Sequence, residues 1–277
     1  MGSLHQFTYG LITPVLAYAL SFLGSLLGLI ATSRARASVT REQRARWLVL
    51  AAWAIGGTGI WVMHFMAMIG FTINGSAIRY DIKTTVASWL IAVIVVGVGL
   101  FTVGYGRPSA AKLLIGGPLT GLGVAAMHYT GMDAMQVSGS VGYDRALVLA
   151  SVAIAVVAAT VALWFTLVVR KPVAIIVSAA IMGVAVCGMH YTGMYAMRVH
   201  MHDTARQLSG VDPMAFLVPI LVFVMLVAVA LSYAMLAAPS QRDREFQEHL
   251  RARLTERPAP DPVPATSSFI PLRERRH

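Results

Sequence analysis

The sequence predicts an all-α, polytopic membrane protein. It has seven transmembrane helices, three repeated helix pairs plus a seventh helix, with the N-terminus outside and the C-terminus inside. Three observations carry this reading. The chain is 57% hydrophobic and 12% charged, about half the roughly 25% charge of a soluble domain. The apolar residues gather in long runs. Lysine and arginine are concentrated in alternate connections.

The runs are 9–31, 47–70, 84–105, 112–135, 146–169, 172–197 and 214–238. Each is long enough to cross a bilayer as a helix. Backbone groups in lipid must be satisfied internally, and these runs are far longer than barrel strands, so helices are expected throughout. The first run has no basic segment before it, and its positive charges follow it, so it reads as a helix and not a cleaved signal. The Met-Gly start is no myristoylation site, because Gln6 stands where Ser or Thr is needed.

Charge sets the orientation. Loop 32–46 holds Arg34, Arg36, Arg41, Arg44 and Arg46, and the same side collects Arg107, Lys112, Arg170, Lys171 and eight tail arginines. Those 17 cations face five on the other side, Arg79, Lys83, Arg145, Arg198 and Arg206. The positive-inside rule places the larger set in the cytoplasm. The net charge of +10 is then a topology signal with attraction to anionic lipid headgroups, not a nucleic-acid footprint. One cysteine, Cys187, excludes an intrachain disulfide. The domains expected are a seven-helix membrane domain over 1–238 and a basic tail over 239–277. Its prolines, Pro258, Pro260, Pro262, Pro264 and Pro271, predict partial disorder.

A motif recurs three times: Met63-His64-Phe65-Met66-Ala67-Met68, Met127-His128-Tyr129-Thr130-Gly131-Met132-Asp133-Ala134-Met135 and Met189-His190-Tyr191-Thr192-Gly193-Met194-Tyr195-Ala196-Met197. The histidines are 64 and 62 residues apart, each in the last turns of an even-numbered span. Gly57, Gly121 and Gly183 each lie seven before the histidine. The repeating unit is therefore a helix pair. Residues four and seven after a helical histidine share its face. That face carries Met68, Met132, Met135, Met194 and Met197, with Phe71 at the seventh place of the first copy. The motif helices share one polarity, so the three faces sit at one depth near the outer surface.

Imidazole with thioether sulfur favours a soft metal, copper above all, over magnesium, calcium or structural zinc. The expected metal ligands are His64, His128 and His190 with Met63, Met68, Met127, Met132, Met135, Met189, Met194 and Met197. Ionisable groups at membrane depth are costly and usually functional. Tyr129 and Tyr191 read as interfacial aromatics, and Gly131 and Gly193 as sites of close helix contact. His200-Met201-His202-Asp203 is a weaker candidate for metal capture.

Met127–Thr130 and Met189–Thr192 match the motif of the MHYT domain, and the chain resembles that family over about residues 8–238. The first copy departs from it, with Phe65 for Tyr and Met66 for Thr. The resemblance implies a sensor in the bacterial inner membrane, with copper on the motif His and Met residues. It implies sensing of oxygen, carbon monoxide or nitric oxide, or of redox state, and relay to a cytoplasmic signalling partner. The expected partners are the lipid bilayer and that protein, with no nucleic acid. A copper transporter or channel and a b-type haem protein are the alternatives. No H-E-x-x-H, P-loop or nucleophile elbow occurs, so no enzyme is expected.

Overall fold

The computed structural model describes residues 4–74, 76–107, 109–201 and 209–215, with scattered positions from 218 to 250. Six helices among them are long and apolar enough to cross a membrane: α1 (Ile12–Arg36), α2 (Arg41–Ile69), α3 (Ile82–Gly104), α4 (Ala110–Asp133), α5 (Arg145–Val168) and α6 (Pro172–Ala196). They correspond to the first six predicted spans. The seventh, 214–238, lies largely outside the described residues. Those described within it, such as 214–215 and 218–220, are helical. The chain divides into two units, Met1–Met235 and Leu236–His277. The predicted tail lies outside the described residues except Phe246 and Leu250.

Local chemistry fixes the helix ends. Asp81, Ser109 and Asp144 cap α3, α4 and α5 by accepting from Thr84 N (2.8 Å), Lys112 N (3.3 Å) and Ala146 N (3.0 Å), each filling an otherwise orphaned donor. The backbone hydrogen bond to Asp81 also holds its carboxyl below the usual range. Thr40 caps α2 through Gln43 N at 3.2 Å. The predicted loop 32–46 is therefore only a short turn. α1 runs on through Arg34 and Arg36, cations favoured in a last helical turn.

Consecutive helices pack against one another from α1 to α6, and α6 closes on α1. The motif ends of α2, α4 and α6 also meet pairwise. Small residues permit the approach. A Cβ on Gly24 of α1 would lie 2.5 Å from Ala54 O, and one on Gly121 of α4 would lie 2.7 Å from Ala155 O.

The helical fold carries short strands in its connections, which the sequence reading did not predict. Six short strands form three antiparallel ribbons: β1 (Leu4–His5) with β2 (Thr72–Ile73), β3 (Arg79–Tyr80) with β4 (Met135–Gln136), and β5 (Gly139–Tyr143) with β6 (Met197–Met201). Each unit thus reads strand, helix, helix, strand, with its two strands paired. The ribbon ties the start of the odd helix to the end of the motif helix. Asp81 N donates to Ala134 O (2.9 Å) and Asp144 N to Ala196 O (2.8 Å). Each histidine is thereby fixed in height as well as in direction.

The first unit carries a π-helical stretch, Trp53–Val62, immediately before the motif. A π turn holds an extra residue, and it shifts the glycine register. Gly56, eight before His64, makes the contact that Gly121, seven before His128, makes in the second unit. A Cβ on Gly56 would lie 2.7 Å from Ala92 O, the counterpart of Ala155 O. Sequence spacing aligned Gly57 instead, where a Cβ would make only ordinary contacts, with Trp89 Nε1 at 3.8 Å and Val93 Cγ2 at 3.9 Å.

Gly56→Ala is therefore expected to destabilise the protein by about 1–3 kcal/mol and Gly57→Ala by less than about 0.5 kcal/mol. Thermal unfolding in detergent measures both. The reverse order would refute the register shift.

Candidate metal centre

Three imidazoles close on one point. His64 (α2), His128 (α4) and His190 (α6) are 1%, 0% and 1% exposed. His64 Nδ1 lies 2.9 Å from His190 Nδ1 and 3.1 Å from His128 Nδ1. Their ring planes cross at 79°, 84° and 88°. These nitrogens form a three-donor cluster able to hold a metal ion. At a metal–nitrogen bond of about 2.0 Å, trigonal ligands stand about 3.5 Å apart. The triad fits an ion after spreading by about half an ångström.

The outer ring nitrogens explain the motif glycines. Nε2 of each histidine is buried without a hydrogen-bond partner. A Cβ on Gly131 would collide with His64 Nε2, and one on Gly193 with His128 Nε2. Each of these glycines leaves room for the imidazole of the preceding copy, a more specific role than close helix contact. The matching position of the first copy is Ala67, so the threefold relation is imperfect.

The aromatic after each histidine stands edge-on to it: Phe65 at 4.9 Å (89°), Tyr129 at 4.9 Å (78°) and Tyr191 at 5.0 Å (75°). The Tyr129 hydroxyl is 2.6 Å from Ser151 Oγ. Ser88 is the equivalent serine, seven residues after its capping aspartate. Phe65 has no hydroxyl to offer it, and Trp61 Nε1 donates to Ser88 Oγ instead at 2.9 Å. The first copy replaces the tyrosine's contact from one turn earlier. Sequence reading missed both serines; their shared spacing from Asp81 and Asp144 is the signal that finds them.

All eight candidate methionines are buried. Met63, Met127 and Met189 adjoin the histidines, and Met68, Met132 and Met194 lie one turn beyond on the same helices. Met135 and Met197 depart from the helical-face expectation. Both sit in strands, paired with Tyr80 and Tyr143, because each helix has ended by then. Tyr80 is buried, and desolvation pushes its hydroxyl pKa above the usual value. His200 is exposed on β6, while His202 and Asp203 lie outside the described residues.

One to two turns before the histidines lies an apolar cavity of about 50 Å³. Every described long helix contributes to it, through Ser25, Ile60, Val96, Val124, Ala155 and Met189. A cavity so lined stays dry and suits an apolar guest.

Gly193→Ala is expected to displace the His128 imidazole and weaken metal binding by about tenfold or more. Gly142→Ala, where a Cβ meets nothing within 4 Å, is the neutral control. Equilibrium metal titration compares them; equal affinities would refute the role given to Gly193.

The family described as MHYT, bacterial signalling protein N terminal repeat, matches at residues 57–116, 121–179 and 183–252. The bifunctional diguanylate cyclase/cyclic di-GMP phosphodiesterase MucR of Pseudomonas aeruginosa is 35% identical over 68% of this chain and 28% of its own length. The cyclic di-GMP phosphodiesterase NbdA of the same organism is 33% identical over 70% of this chain and 25% of its own. The signaling protein YkoW of Bacillus subtilis is 31% identical over 70% and 25%. The chain thus spans about a quarter of the length of these relatives. No solved structure matches it. With three matched repeats, a histidine from each and six apolar helices, the chain belongs to the MHYT family of bacterial signalling proteins and is a multi-pass protein of the inner membrane.

Proposed function

We propose that the protein is a membrane sensor module, not itself an enzyme, with one copper ion bound by His64, His128 and His190 and by motif methionines. The observation that carries this reading is the convergence of three buried Nδ1 atoms. Among the described residues no carboxylate joins the cluster. Burial penalises charge steeply, so a singly charged ion is held here at far lower cost than a divalent one. Soft sulfur nearby favours the same ion, Cu(I). When bound, copper supplies affinity for a diatomic gas or a response to redox state. The apolar cavity beside the histidines supports the gas reading, because it accepts a small uncharged ligand and excludes water.

The chain's own part is to couple the site to its helices. The Nδ1 atoms stand closer than metal coordination requires, so occupancy spreads the ends of α2, α4 and α6. A ligand that prefers one spacing shifts the balance between two helix arrangements. In this reading the chain has seven spans with the N-terminus outside, the site lies at the outer face, and the inner loops and tail relay its state to a cytoplasmic partner. The relatives' cyclic di-GMP activities suggest a second-messenger output.

The same geometry disfavours the alternatives. Among its lining residues the cavity offers copper only the sulfurs of Met182 and Met189, both on α6, too few for a ligand ladder leading inward. Imidazoles that meet at Nδ1 leave no slot for a haem between them.

Metal analysis of purified protein is expected to give about one copper per chain, lost in the His64→Ala/His128→Ala/His190→Ala variant. Unchanged copper in that variant would sink the assignment. Ala155→Phe, which fills the cavity, is expected to keep the copper and lose carbon monoxide binding by infrared spectroscopy. Intact binding there would remove the cavity's role.

A further inference from the structure

At the end of the bundle away from the histidines, each odd-numbered helix finishes on a carbonyl held by a cation. Arg44 Nε donates to Ala35 O of α1 at 3.3 Å, Lys112 Nζ to Tyr105 O after α3, and Arg36 Nη2 to Val169 O after α5. Such contacts fill orphaned helix carbonyls. Two of the three cations end there. Arg36 does not: its Nη1 is shut off from solvent and has no acceptor. Arg170 directly follows Val169, whose carbonyl Arg36 holds, so the two cations are neighbours. Lys171 follows, at the start of α6, where no side chain caps the helix. The ion pair found among the described residues, Arg198 with Asp144, lies at the opposite end.

A buried donor without an acceptor is costly, and so are adjacent like charges. One anion with several acceptor oxygens relieves both. The guanidinium fork matches phosphate in particular. The position fits as well, since Arg36 ends a membrane-spanning helix where bilayer phosphates lie. We propose that Arg36, Arg170 and Lys171 form a phosphate-binding site between the end of α1 and the α5–α6 link, filled by the phosphodiester of an anionic membrane lipid. This site is independent of the histidine cluster and of any metal.

Native mass spectrometry of the full chain, given phosphatidylglycerol or phosphatidylcholine in detergent, tests it. Wild type is expected to retain phosphatidylglycerol. Arg36→Gln and Arg170→Gln are expected to weaken retention by about tenfold or more, and Arg145→Gln, an exposed cation at the other end, to leave it unchanged. Arg170 is exposed, so its variant carries the test if Arg36→Gln does not fold. A parallel titration with inorganic phosphate separates the sources. Phosphate that raises the unfolding temperature of wild type but not of Arg170→Gln, with no lipid retained, keeps the phosphate site and replaces the lipid by free phosphate. Retention equal in wild type and both site variants, or equally reduced by Arg145→Gln, overturns the site.

Discussion

Three imidazoles meeting inside an apolar bundle, without a described counter-charge, are the constraint on which the rest depends. Imidazole at membrane depth is tolerated when its polar atoms have something to do. Here each Nδ1 faces the common centre, and each Nε2 is buried without a partner. That arrangement requires three helix ends at one height, a gap for each ring, and small residues where helices cross. The ribbons provide the first, Gly131 and Gly193 much of the second, and Gly24, Gly56 and Gly121 the third.

The repeat is approximate, and its departures are instructive. The first copy lacks the tyrosine hydroxyl, the motif glycine and the ordinary helical register. Trp61 takes over the bond to Ser88, and the π-helical stretch brings Gly56 into contact while keeping His64 on the axis. The compensations are local, within about two turns of the histidine. They preserve the position of one ring nitrogen while much around it differs. Three unequal copies thus surround the centre with unequal neighbours.

The helices and the histidine trio were legible in the sequence because hydropathy and a 64- and 62-residue spacing depend on composition and order alone. The ribbons were not legible. They are two to five residues long, too short for an alternating pattern, and they pair strands more than 50 residues apart. Helical periodicity placed Met135 and Met197 on the histidine face because it does not say where a helix ends. Gly57 was aligned with Gly121 by counting residues, which fails across a π turn. The glycines beside the rings read as ordinary small-residue contacts, since nothing in one chain's sequence says which atom fills the gap.

Copper-edge X-ray absorption of the loaded protein bears most directly on the triad. The expected spectrum has imidazole nitrogen scattering at about 2.0 Å with a sulfur contribution, and the imidazole signal falls when any one of His64, His128 or His190 is replaced. A shell of oxygen or water ligands, unchanged by those replacements, would contradict a metal held where the three rings meet.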